Sequence, residues 1–305
     1  MTNPERHGVR AVVVTWNPDV ARLIEAVRAL VSQTDGVIII DNGSANLGEV
    51  VEQFSSSESV KVVGLGENRG IGAALNAGVA LALGSGPAWI MTMDQDTLVA
   101  EGSVAGILTD FASLEESLQR RCGILALRPH PQPASIWLTR YAESLMVIGD
   151  IGPFIERRGV ITSGNLVPAE LVQQVHFNES MFIDQVDFDF CYSLRERGHV
   201  VLQQKSITMD HILGERYDDV ERIHPYENAQ RMYYIIRNST YLVLRRRLGV
   251  RFYFVQAVVF SGAFVSINGV GSVGHCIAVL VRGIFDGTAG RMGRREYRLL
   301  QRGRK

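Results

Sequence analysis

Over the first hundred positions, short continuous apolar runs alternate with stretches of helical periodicity. Val12 to Val14 reads as a buried strand, and Asn17-Pro18 supplies an N-cap followed by proline at the first helical position. In the helix that follows, Val20, Leu23, Ile24, Val27, Leu30 and Val31 recur at three and four residues and so share one face. Gly36 stops it before a second strand, Val37 to Ile40. The alternation continues with a strand at Lys61 to Val63, a helix over Ile71 to Leu83 and a strand at Trp89 to Met93. Strands that are apolar throughout, rather than at every second residue, predict a sheet covered on both faces.

After Thr97 the pattern loosens into a helix near Gly102 to Leu118, a strand at Ile124 to Leu127 and a proline-rich loop, Pro129 to Pro133. A second ordered block follows: Ser163-Gly164-Asn165, a helix opened by Pro168, a helix from Met181 to Arg197 ending at Gly198, and a strand at Val200 to Leu202. Beyond Tyr226 the chain reads as mostly helical. There is no internal repeat.

Composition narrows the class. With 305 residues and 46% hydrophobic content the chain can bury a sizeable core. A formal net charge of -1 exerts no general pull on nucleic acid, and none is expected as a partner. The basic residues cluster only at the end, at Arg291, Arg294, Arg295, Arg298, Arg302, Arg304 and Lys305. Cys122, Cys191 and Cys276 are scattered and lack Cys-x-x-Cys spacing, which argues against a disulfide framework and a zinc site. Met1 to Arg10 lacks the features of a signal peptide, so the expected location is cytoplasmic.

Asp94-Gln95-Asp96 follows an apolar strand directly, at the carboxyl end where open α/β sheets bind ligands. Two such carboxylates can share a hard divalent cation that keeps open positions for phosphate oxygens; a solvated turn is the plain alternative. Asp41-Asn42-Gly43-Ser44 is either an Asx-type turn or part of a pocket at the same edge as Thr15-Trp16-Asn17. Asn68-Arg69-Gly70-Ile71-Gly72, with Asn76 and Gly78 beyond, opens a helix whose free N–H groups can face an anion.

The spacing Gly66-x-x-x-Gly70-x-Gly72 also matches a glycine pattern of short-chain dehydrogenases, which makes a nicotinamide-dependent oxidoreductase the rival reading. That pattern follows the third strand rather than the first, and no Tyr-x-x-x-Lys accompanies it. Asp184, Asp187 and Asp189 stand in an otherwise apolar run leading into a helix, and serve either as caps or in general-base catalysis. His211, in Met209-Asp210-His211, is either structural or the completion of a metal site begun by two aspartates.

Taken in order, Thr15-Trp16-Asn17, Asp41 to Ser44, Asn68 to Gly78, Asp94-Gln95-Asp96, Ser163-Gly164-Asn165 and the Asp184 to Asp189 run resemble family 2 glycosyltransferases, especially rhamnosyltransferase-like members. The resemblance covers roughly Val12 to His211, and Arg237-Asn238 with Arg282 to Gly287 look like the family's C-terminal region. It implies a GT-A α/β fold: a mostly parallel central sheet flanked by helices, with a helical C-terminal region. Residues 1–225 would be the catalytic domain, 1–100 mainly for the nucleotide-sugar and 101–225 mainly for acceptor and catalysis. Residues 226–305 would form the helical region, a surface for peripheral membrane contact or homo-oligomer contact.

By the same resemblance Thr15, Asn17, Asp41, Asn68, Gly70, Asn76, Asp94 and Gln95 would contact the nucleotide-sugar. Asp94, Asp96 and His211 would hold Mg2+ or Mn2+, and Asp187 would be the base. The implied reaction is inverting transfer, with dTDP-L-rhamnose as the preferred donor and a saccharide or lipid-linked saccharide as acceptor in surface polysaccharide synthesis. The third alternative is a noncatalytic nucleotide-sugar-binding module. The apolar run Phe252 to Ile267 falls short of the roughly 20 residues of a spanning helix. With the arginine-rich end it suits an interfacial position or packing against the catalytic domain.

Overall fold

The structure is a computed structural model that describes residues 8–130, 137–210 and 228–301. Its first half is a βα alternation: β1 (Val9–Thr15), α1 (Val20–Val31), β2 (Val37–Asp41), α2 (Leu47–Phe54), β3 (Val60–Gly64), α3 (Ile71–Leu83) and β4 (Trp89–Asp94). Next come β5 (Leu98–Val99), α4 (Ser103–Ala112), α5 (Glu116–Gln119), β6 (Cys122–Pro129), α6 (Trp137–Met146), β7 (Val147–Ile151), β8 (Phe154–Arg157), β9 (Asn165–Pro168) and α7 (Ala169–Val172). Helix α8 (Val186–Glu196) and strand β10 (Val200–Asp210) close this part. The rest is helical: α9 (Ala229–Leu244), α10 (Val250–Asn268), α11 (Val273–Thr288) and α12 (Arg298–Gln301).

One sheet runs in the order β3-β2-β1-β4-β9-β6-β10-β8-β7, with β5 pairing β10. It is parallel from β3 to β4 and mixed beyond, because β9 inserts antiparallel between β4 and β6. The parallel register aligns Thr15 with Asp41 and Asp41 with Gly64, and sets Val14 beside Asp94. The carboxyl ends of these strands therefore form one edge, from which the candidate chemistry projects.

The expected two-sided burial is observed. Val12, Val14, Ile38 and Ile40 belong to the apolar cluster on the α3 side of the sheet, and Val13, Ile39 and Val37 to the one on the α1 side. Gly78 lets α3 lie directly on the sheet: a Cβ there would collide with Val12 and Ile40.

Several local expectations change. Asp19, not Asn17, caps α1, its carboxylate accepting from the Arg22 N–H at 3.0 Å. Asn17 instead takes a left-handed φ of 46° and ties to the β2 loop. The helix expected from Met181 starts at Val186, because Phe182, Asp184 and Gln185 all have positive φ. Ser163-Gly164-Asn165 runs into a strand, and the strand expected at Val200 to Leu202 continues to Asp210. Helix α10 is 19 residues long, and it and Val270–Thr288 are each long and apolar enough to cross a membrane by length and composition. His211, Pro131 to Pro133, Arg302, Arg304 and Lys305 lie outside the described residues.

Candidate functional site

Three strand-end loops are sewn together at the carboxyl edge. The Trp16 N–H donates to Gln95 Oε1 at 2.8 Å, the Asn17 N–H to Ser44 Oγ at 2.8 Å, and the Ala45 N–H to Asn17 Oδ1 at 2.8 Å. Behind Asp94, the Ser163 hydroxyl accepts from the Asp94 N–H at 3.0 Å and donates to Thr97 Oγ1 at 2.9 Å. Buried Arg22 donates to the Asp96 carbonyl at 3.1 Å and pairs with Asp210 at 3.3 Å, so one guanidinium holds the aspartate turn against the end of β10. The acidic turn is built, with Asp94, Gln95 and Asp96 half-buried at the rim.

Other residues expected to touch the donor also hold the loops in place. Asp41 is wholly buried and forms the Asx-type turn, accepting from the Gly43 and Ser44 N–H groups and the hydroxyls of Ser44 and Thr15. Thr15 is equally buried. Asn68 Oδ1 accepts from Asn42 Nδ2 and from the Gly70 N–H, bracing the next loop.

Nor does the start of α3 face open space. The Ile71 N–H donates to the Phe182 carbonyl at 2.7 Å, and a Cβ on Gly70 (φ 89°) would lie 2.6 Å from that same oxygen. Asn76 uses its amide on Phe177 and Glu179. The glycines serve close approach of the 177–182 segment, whose Phe182 carbonyl takes the Ile71 N–H. Trp16 stands 53% exposed, its N–H bonded to Gln95, and offers a flat apolar face at the rim.

The 181–185 segment carries Asp184, leads into the helix that carries Asp187 and Asp189, and is strained. Non-glycine residues at positive φ cost about 1–3 kcal/mol each and persist only where surrounding structure holds them. Here the holder is α9: Asn238 Nδ2 lies 3.1, 2.8 and 2.8 Å from the carbonyls of Met181, Ile183 and Asp184. Buried Arg237 donates to the Met181 carbonyl at 2.8 Å and to Asn238 Oδ1 at 2.9 Å, so it orients the amide as well as the chain. In turn, Asp286 of α11 accepts from Tyr233 of α9, and also from Tyr297 and Arg282.

Environment separates the three carboxylates. Asp189 is paired with Arg247 at 2.6 Å and accepts from Asn178, a structural tie. Asp184 is paired with Arg231 at 3.1 Å, yet its Oδ2 is buried with no partner among the described residues, and burial raises its pKa. Asp187 has no arginine partner among the described residues. Burial pushes it up to about 7, opposed by the Phe188 N–H it accepts at 2.9 Å and reinforced by the charges of Asp184 and Asp94. The charge of Asp94, at the end of β4, thus acts on Asp187 at the start of α8. Gln185, not an aspartate, occupies the N-cap of α8, so the capping role does not describe Asp184 or Asp187.

Among the described residues no three His, Cys, Asp or Glu side chains could hold a metal by themselves. The two carboxylates at the β4 end do suit a hard cation whose remaining positions go to phosphate oxygens.

Residues 11–121 match the family described as glycosyl transferase family 2. A dTDP-rhamnosyl transferase of Shigella flexneri, RfbF, is 27% identical over 256 residues, covering 83% of this chain and 85% of that protein. Among solved structures, GalNAc-T7 with UDP, GalNAc and Mn2+ aligns at TM-score 0.54 and 15% identity, over 71% of this chain and 45% of its own. Residues 1–349 of S. aureus TarS align at TM-score 0.51 and 10% identity, over 93% and 81%. At such identities the two structures establish a shared fold.

Proposed function

Because the chain is a glycosyltransferase of GT-A fold whose residues 11–121 form a glycosyl transferase family 2 domain, we propose that it transfers L-rhamnose from dTDP-L-rhamnose to a saccharide or lipid-linked saccharide. A nucleotide-sugar donor follows from the family; the sugar is inferred from the relative that uses dTDP-rhamnose by name. The acceptor and its place in surface polysaccharide synthesis belong to the proposal.

Asp187 is assigned as the base. The single observation that carries this is that Asp187, alone of the three acids, is not neutralised by an arginine and has its pKa raised to about 7. A carboxylate tuned near the working pH is suited to general-base catalysis. The acceptor hydroxyl oxygen forms a bond to the anomeric carbon as the bond to the diphosphate oxygen breaks, and its proton passes to Asp187. One in-line displacement inverts the configuration.

Asp94 and Asp96 would hold Mg2+ or Mn2+, with His211 as a third proposed ligand; such a cation would neutralise charge on the departing nucleoside diphosphate. Asn17, Gln95 and Trp16 are assigned to the nucleoside, with buried Thr15 and Asp41 and half-buried Asn68 shaping the loops behind them. Gly70 and Asn76 are assigned to packing rather than donor contact.

The division into 1–225 and 226–305 is proposed as one of roles. The exposed apolar faces of α10 and α11 support membrane contact of the second part at the cytoplasmic face. A thermal-shift titration tests the site: dTDP should stabilise the protein only with Mn2+ or Mg2+. Stabilisation by NADH or NADPH alone would return the oxidoreductase reading.

A further inference from the structure

Two cavities lie along one face of α10. The first, about 420 Å³, is lined by Arg158, Arg195, Arg246, Arg247 and Arg251, and by no acidic residue. Arg247 is paired with Asp189 and Glu196. The other four have no ion-pair partner among the described residues, so the cavity carries positive charge that an anion can share. The start of α10, Gly249 to Phe252, lines the same space and has no side-chain cap.

The second cavity, about 690 Å³, is an apolar groove beside Phe254, Ala257, Val258, Val265 and Leu280. Val250, Phe254 and Val258 follow at four-residue steps, so the groove continues the wall of the first cavity. From Phe252 to Val281 the chain has no Asp, Glu, Lys or Arg. The first cavity is also walled by α8, the helix that carries Asp187. Phe188 forms part of its wall and directly follows Asp187 on α8, and Gln256 of α10 accepts from Gln185, just ahead of α8.

We propose that α10 is the acceptor-binding element, and that the acceptor is an amphiphile whose phosphate or pyrophosphate sits among the arginines while its hydrocarbon chain follows the apolar groove. This rests on Asp187 being the base of a glycosyltransferase, since that places the reacting hydroxyl on the same helix as the head-group cavity. A free saccharide would leave both cavities without a role; a lipid-linked pyrophosphate uses both.

The test is calorimetric titration of the full chain, without divalent metal, against farnesyl pyrophosphate, inorganic pyrophosphate and farnesol. Farnesyl pyrophosphate should bind most tightly. The double variant Arg246→Ala/Arg251→Ala should weaken it by about tenfold or more, as expected for lost charge-assisted hydrogen bonds, and Phe254→Ser by roughly tenfold through lost apolar contact. All three side chains are exposed, so the folds should survive, and binding of dTDP with Mn2+ should be unchanged in each variant.

Equal affinity for inorganic pyrophosphate with no effect of Phe254→Ser would mean a free-anion site and overturn the proposal. So would binding to phosphatidylglycerol vesicles that farnesyl pyrophosphate does not displace. If dTDP binds with Mn2+ and farnesyl pyrophosphate does not bind, this proposal alone fails; if dTDP does not bind either, the reading beneath it fails.

Discussion

Replacing Asp187 by asparagine keeps the shape of the side chain and removes its charge, which should cost activity and gain stability. In the folded protein its carboxyl is raised to about 7, mainly by burial. An unfolded aspartate titrates near about 3.9, so roughly three pH units separate the two states; at ~1.4 kcal/mol each, discounted for the partly exposed side chain, ionisation costs the fold about 2–4 kcal/mol. The folded pKa is the higher, so the contribution is complete below about pH 4 and is lost as pH rises through about 7. Asp187→Asn should therefore be nearly as stable as the parent at about pH 4 and more stable by about 2–4 kcal/mol near pH 8, read by urea melts at both. Transfer should fall by about 100-fold to 10,000-fold, and the parent's loss of rate below about pH 7 should vanish from the residual activity. Parallel stabilities at both pH values, with near-normal turnover, would refute both the buried charge and the base, and make Asp184 the next candidate.

Asn238→Ala leaves the carbonyls of Met181, Ile183 and Asp184 without their shared donor, so melting should shift by about 1–3 kcal/mol while turnover falls more than donor affinity. An unchanged kcat would show that the strained segment holds itself. Gly70→Ala forces a side chain into positive φ against the Phe182 carbonyl and should destabilise by more than about 1 kcal/mol; a neutral result in a melt would mean that the 177–182 segment does not seat on α3. Asp96→Ala should weaken Mn2+-dependent binding of dTDP and leave melting without ligand unchanged, since its side chain is at a rim and not in the core. Equal metal dependence in calorimetry would remove Asp96 from the site.

The nucleotide half was legible because its signals are local. Continuous apolar runs mark β1, β2 and β4, and α3 has the bounds that periodicity and the glycines on its first turn assign to it. Helix α2 went unseen because Asp41 to Asn46 reads as a turn and only Val50 and Phe54 are buried beyond it. Strands β7 and β8 are short, half-exposed and rich in charge, which leaves little alternation to detect. The acids at 184, 187 and 189 were visible as candidates, yet what distinguishes them is not local: Arg231 and Arg247 neutralise two of the three from more than forty residues away. The late start of α8 has the same cause, since the bonds that hold Phe182, Asp184 and Gln185 at positive φ come from Arg237 and Asn238. Gly70 and Asn76 fit a donor loop by spacing, and their packing against Phe182 and Phe177 comes from a segment more than a hundred residues away.

The most direct test of the central claim is mass spectrometry, with proton NMR of the product's anomeric centre, of dTDP-L-rhamnose incubated with the protein, Mn2+ and a panel of lipid-linked saccharides. The account predicts that one acceptor gains a single deoxyhexosyl unit with inverted anomeric configuration, that dTDP forms in equal amount, and that chelation or Asp187→Asn nearly abolishes both. Transfer with retained configuration, or equal product from Asp187→Asn, would contradict it.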